Sequence, residues 1–263
     1  MDTPDVKTVA HQAGDSKPVE WGARLGYAVS GLLHLLIAWI ALKVAWSSGG
    51  GSADQSGALA TLARSPGGPL VLWVAVVGFA LLAVWQLTEA VTGAHGAEAS
   101  DRAKAVGKLV MYAALAWTAL TFASGSSTSS RGQTKDFTAT LMSHAGGRLL
   151  VGAIGLAVVG IGGYHVYKGW KKKFLDDLRQ NPGRWAVQAG RAGYIAKGIA
   201  LVAVGFLFLV AAVRNAPSKA TGLDGGLRTL REAPAGTALL TLVALGIAAY
   251  GVYSFARSRY ARV

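Results

Sequence analysis

A chain of 263 residues that is 52% hydrophobic and only 15% charged, with a mean hydropathy of +0.39, is too apolar for an ordinary soluble domain. The absence of cysteine excludes disulfides, thiolate metal sites, iron–sulfur ligation and cysteine nucleophiles together, and leaves the redox compartment open. A net charge of +13 and a pI near 10.2 suit either nucleic acid or an anionic membrane surface, and the hydropathy favours the membrane.

Residues 1–20 are polar and read as a disordered leader. They lack the short basic start and small-residue cleavage site of a signal peptide, so the first span is expected to be retained. A hydrocarbon core about 30 Å thick takes roughly 20 apolar residues per spanning helix. Six stretches fit, near 24–46, 69–92, 105–124, 148–168, 190–213 and 237–256. The third is the most polar because Lys108 sits in its first turn, where a lysine snorkels to the interface. Many of the 35 glycines fall inside these stretches, where small residues let helices approach closely in lipid.

Internal repetition carries the most information. The segments LATLARSPGGPLVLWVAVVGFALLAVWQ from Leu59, TATLMSHAGGRLLVGAIGLAVVGIGGYH from Thr138 and LRTLREAPAGTALLTLVALGIAAYGVYS from Leu227 align without gaps. Thr61, Thr140 and Thr229 coincide, as do Gly68, Gly147 and Gly236, and Trp85, Tyr164 and Tyr253. The first helix of each copy matches more loosely, LLHLLIAWIAL around His34 with VMYAALAWTAL around Tyr112, and ARLGYAVSG from Ala23 with GRAGYIAKG from Gly190. Repeat 1 covers 21–95, repeat 2 covers 96–170 and repeat 3 covers 184–257, with a basic linker at 171–183 and a basic tail at 258–263. Two helices per unit make the repeats parallel, and the expected fold is all-α: a polytopic six-helix bundle of three helical hairpins with approximate threefold symmetry.

Each outer connection holds a short helical segment, DQSGALATLARSPGG, KDFTATLMSHAGG and LDGGLRTLREAPAG, stopped by a Gly pair or Ala-Gly. These read as a loop cap over the bundle, with a ligand or partner surface as the other reading. Lysines and arginines divide unevenly. Lys7, Lys17, Arg24, Arg102, Lys104, Lys108, Lys168, Lys171, Lys172, Lys173, Arg179, Arg184, Arg191, Arg257, Arg259 and Arg262 lie on the side of both termini, sixteen in all. Arg64, Arg131, Lys135, Arg148, Arg214, Lys219, Arg228 and Arg231, eight in all, lie opposite. The positive-inside rule then puts both termini in the cytoplasm.

Three hairpins with an ARLGY-type start to the first helix, a TL-x4-GG-type outer loop and a Trp or Tyr near the end of the second helix resemble the bacterial membrane family catalogued as domain of unknown function 1206. The resemblance runs from about Trp21 to Arg257; copies one and three carry Arg24-Leu25-Gly26-Tyr27 and Arg191-Ala192-Gly193-Tyr194, and copy two lacks this motif. The resemblance implies this architecture and a plasma-membrane location, and brings no reaction with it.

Ionisable groups within spans are functional candidates. The repeat register puts Glu89, Lys168 and Arg257 at one level, where they form a candidate ionic layer; ordinary snorkelling is the competing reading. His34, Gln86 and His165 are candidate intramembrane polar residues, read as packing and hydrogen-bonding groups. The depths of His34 and His165, about 10 Å apart at 1.5 Å rise per residue, argue against a shared heme. No cofactor and no metal site is expected, because Walker, HExxH and GxSxG patterns are missing, and with them any visible catalytic machinery. Lys171, Lys172 and Lys173, beside a spanning helix, are expected to meet anionic lipid headgroups rather than nucleic acid. The expected function is a non-enzymatic membrane scaffold or accessory subunit that binds lipid or a small apolar molecule between helices, with membrane lipids and other membrane subunits as partners. The alternative is a small-solute transporter or channel with a cytoplasmic ionic layer.

Overall fold

A computed structural model describes residues 17–47, 51–92 and 99–261. Among the described residues the chain folds into nine α-helices: α1 (Lys17–Trp46), α2 (Gln55–Ala63), α3 (Gly68–Thr92), α4 (Ala99–Ala123), α5 (Ser130–Met142), α6 (Gly147–Trp170), α7 (Arg184–Val213), α8 (Gly222–Glu232) and α9 (Gly236–Tyr260). Of the expected leader, residues 1–16 lie outside the described residues and 17–20 begin α1. Six helices, α1, α3, α4, α6, α7 and α9, are long and apolar enough to cross a bilayer. In hydrocarbon a helix satisfies its backbone within its own segment, which is why an apolar chain of this kind resolves into helices.

The short helices α2, α5 and α8 are the three outer-loop segments, one per repeat. Asp54 caps α2 by accepting from the Gly57 amide at 3.0 Å, and Ser129 caps α5 by accepting from the Gly132 amide at 3.1 Å. The recurrent Gly pair that follows them has a backbone cause. Gly67, Gly146 and Ala235, in one register, all adopt left-handed φ, at +74°, +80° and +55°. Gly68, Gly147 and Gly236 follow, and a Cβ there would run into the carbonyls of Leu62, Leu141 and Arg231. The first position reverses the chain and the second brings it against the end of the cap helix.

Around the bundle the long helices follow one another in the order α4, α3, α1, α9, α7, α6. Two of the contacts that join different repeats are glycine seams; in the third, between α3 and α4, the register of Gly251 and Gly162 holds Ala83 and that of Gly31 and Gly198 holds Leu109. Gly31 of α1 and Gly251 of α9 face each other, each with the other's carbonyl oxygen 2.8 Å from where a Cβ would sit. Gly198 of α7 and Gly162 of α6 occupy the corresponding positions in the next pair, at 2.5 and 2.8 Å, and Gly205 and Gly155 extend that seam by two turns. Small residues allow this approach, and dispersion between backbones is then the main attraction between helices in lipid. Arg148 at the start of α6 adds a polar tie, donating to the carbonyls of Ala212 and Val213 at 3.1 and 3.2 Å where α7 ends.

Within the hairpins the three copies differ. Hairpin one closes where Gly26 of α1 meets Gly78 of α3, a Cβ on Gly26 lying 2.8 Å from the Gly78 carbonyl. Hairpin three closes where Gly193 of α7 meets the backbone of Tyr250, a Cβ on Gly193 lying 2.5 Å from its Cα. In repeat 2 the register of Gly26 and Gly193 holds Lys104, which pairs with Asp101 at 2.8 Å instead. Accordingly α4 and α6 form no packed interface, and the ring of six is open between them. These two helices are also the least covered, with 22% and 17% of their apolar stretches buried against 39–50% in the other four.

Candidate functional site

A cluster of tyrosines, histidines and ionisable residues of the spans lies at one end, where α1, α4 and α7 begin and α3, α6 and α9 finish. Two registers of the repeat supply them. On the first helices, one position reads Ser30, Lys108 and Lys197; on the second helices, another reads Glu89, Lys168 and Arg257. Lys108 lies within electrostatic reach of Arg257, Asp177, Lys168 and Glu89. Lys108 is nevertheless accessible, as a group beside the opening between α4 and α6 should be.

The charges are distributed unevenly within this cluster. Lys168 Nζ contacts Asp177 Oδ2 at 2.7 Å, a carboxylate supplied by the connection after α6. Arg257 lies with its guanidinium 4.4 Å from the centre of the Tyr27 ring, and its Nε is buried with no acceptor. Lys197 Nζ stands 4.4 Å from the Tyr250 ring centre. Such cation–π contacts accommodate a cation without neutralising it.

Tyrosines form the walls. Tyr194 packs edge-on to Tyr250 at 5.3 Å and against Phe174 at 5.2 Å, and Phe174 meets Tyr253 at 5.1 Å. Tyr27 and Tyr112 approach within hydrogen-bonding reach of each other, and both lie in the electrostatic surroundings of Arg257. The sequence offers Tyr27 and Tyr194 as equivalent motif residues; Tyr112 and Tyr250 come from other registers, and only the fold brings all of them to one place.

Both histidines of the spans join this wall. His34 Nδ1 is 2.6 Å from the Ser30 carbonyl one turn earlier, and its ring sits 4.7 Å from Tyr250. His165 Nδ1 is 2.8 Å from the Ile161 carbonyl, with the ring 5.7 Å from Tyr194. Gln86, in the register of His165, is buried at 1% exposure in the α1–α3 side of the bundle. Lys171, Lys172 and Lys173 are exposed on the turn after α6, Lys172 in left-handed conformation at φ +58°. The rest of that basic linker is not a free surface segment. Phe174 and Leu178 are buried, Tyr253 Oη donates to the Phe174 carbonyl at 3.3 Å, and the Arg179 amide donates to the Tyr260 carbonyl at 2.8 Å.

At the opposite end the cap is held by a carboxylate. Asp224, 1% exposed, accepts from Arg228 Nε of its own helix at 3.0 and 3.1 Å, from Arg131 of repeat 2 at 3.3 Å and from the Ala53 amide of repeat 1 at 2.9 Å. The Ser130 amide donates to Ser56 Oγ at 3.1 Å and adds a second cross-link between repeats. One acidic residue thus ties three outer loops together. Its spacing to Arg228, one helical turn, was the only signal in the sequence.

The sequence model of one family, described as Domain of Unknown Function (DUF1206), matches the chain three times, over residues 25–93, 103–172 and 192–261. The matches coincide with the three hairpins. The chain is similar to the uncharacterized protein YxxB of Bacillus subtilis (strain 168), with 28% identity over 257 residues, covering 94% of this chain and 93% of the relative. No solved structure matches.

Proposed function

We propose that this chain, which belongs to the DUF1206 family, is a non-enzymatic accessory or scaffold protein of the plasma membrane that holds a lipid or small apolar molecule between its helices. The observation that carries this reading is the unpacked interval between α4 and α6, in a bundle whose other neighbouring helices pack against one another. A gap between spanning helices is filled by whatever the bilayer supplies, because an empty one forfeits dispersion contacts on both sides. The test is purification of the full chain in a mild detergent followed by native mass spectrometry. A stoichiometric lipid or a stoichiometric protein partner is expected. A bare chain, stabilised by a water-soluble solute and by no lipid, sinks the proposal and favours the second reading, a small-solute transporter. That reading draws on the ionisable cluster around Lys108.

For orientation we adopt the excess of Lys and Arg at the tyrosine end and place that end in the cytoplasm. The native chain has no cysteine, so single cysteines report cleanly. Ser127→Cys, exposed between α4 and α5, is expected to react with an impermeant maleimide added to intact cells. Lys172→Cys is expected to react only after lysis; the reverse pattern inverts the topology.

A further inference from the structure

We propose that the cluster of cations at the tyrosine end receives the oxyanion headgroup of an anionic lipid, which enters sideways through the opening between α4 and α6. This rests on the reading that a ligand lies between the helices, and it names that ligand's chemical class.

Charge is the first argument. Lys108 from α4, Lys168 from α6, Lys197 from α7 and Arg257 from α9 approach one region, where Asp177 and Glu89 supply the carboxylates. Asp177 is spent on Lys168 at 2.7 Å. Glu89 lies within reach of Lys108, and with Lys197 and Arg257 the region carries more positive than negative charge. An excess of cations beside hydrocarbon is unfavourable until an anion joins them.

The second argument is an unfilled donor. Arg257 Nε is buried and has no acceptor, although tyrosines surround the guanidinium. Buried donors are paired in the great majority of cases, and a guanidinium matches the spacing of phosphate oxygens.

The third argument concerns the route. The opening is bounded by α4 and α6, which carry Lys108 and Lys168 at the tyrosine end. Further along, the same helices expose large apolar side chains, Val110, Met111 and Trp117 on α4 and Leu156 and Ile161 on α6. A headgroup at the cations and acyl chains along these helices place each part of an amphiphile against matching chemistry. A free phosphate satisfies the cations and leaves the apolar opening unexplained.

The test uses the full chain in nanodiscs of phosphatidylcholine, alone or doped with phosphatidylglycerol, read by native mass spectrometry after progressive delipidation. One phosphatidylglycerol per chain is expected to survive when phosphatidylcholine is lost. Arg257→Gln and Lys108→Gln are each expected to weaken its retention about tenfold or more, the loss of one charge-assisted contact. Lys108 is accessible, so its variant preserves the fold even if that of Arg257 does not, and thermal unfolding checks both. Replacement of Lys171, Lys172 and Lys173 together by Gln is expected to leave this lipid in place. Several outcomes overturn the proposal: equal retention of the two lipids, loss only in the Lys171–173 variant, full competition by millimolar inorganic phosphate, or a lipid-free dimer in which a second copy covers the opening. Equal retention refutes the anionic class alone, whereas failure to retain any lipid refutes the reading beneath it as well.

Discussion

Replacing Arg228 by Met is expected to destabilise the protein by about 2–3 kcal/mol, and replacing Asp224 by Asn is expected to cost less, about 1 kcal/mol. The order follows from burial. The Asp224 side chain is 1% exposed, and its desolvation is offset by Arg228, Arg131 and the Ala53 amide. Without Arg228 a buried carboxylate retains one long contact to Arg131, at 3.3 Å, and one amide. Without the carboxylate charge, the arginines, 35% and 41% exposed, turn to water. Asparagine still accepts from Ala53. Denaturant or thermal unfolding of both variants in the same detergent decides it: an Asp224→Asn variant less stable than Arg228→Met would show that the lost charge-assisted contacts outweigh an uncompensated buried carboxylate, and no loss in either variant would show that the three outer loops are not held through this carboxylate.

The glycine seams predict a change of sign. An alanine for glycine in a helix interior is worth up to about 1 kcal/mol in its favour. Gly160→Ala on α6 should realise that gain or remain neutral, since nothing lies within 4 Å of a Cβ there. Gly198→Ala on α7 should lose about 2–3 kcal/mol net, because its Cβ meets the Gly162 carbonyl at 2.5 Å and the Val166 amide nitrogen at 2.8 Å, both backbone atoms that cannot turn aside. The loss should appear as separation of α6 from the bundle, read by faster proteolysis or hydrogen exchange in 147–170. Equal effects of the two substitutions would show that close backbone approach does not hold α6 in place.

The Arg-Leu-Gly-Tyr motif shows how far sequence reasoning reaches. Its presence in copies one and three and absence from copy two is plain in the sequence. That its glycine is the contact that closes a hairpin emerges only where Gly26 meets Gly78 and Gly193 meets Tyr250. Repetition suggests three equivalent hairpins; Lys104 in place of glycine leaves one of them open. Likewise the register of Glu89, Lys168 and Arg257 follows from alignment, but Asp177 lies in a linker outside the repeats, and the alignment has no place for it.

By itself the sequence determined the number of spanning helices, their grouping into three hairpins and the Gly-pair or Ala-Gly stops that end the outer-loop segments. Each of these depends on local composition or on backbone conformation that few residues adopt. Only the tertiary structure decided which helices touch, which hairpin stays open and which charges share one end of the bundle. Those outcomes depend on the presence or absence of a single Cβ at a crossing point, and on long side chains whose partners come from segments far apart in the chain.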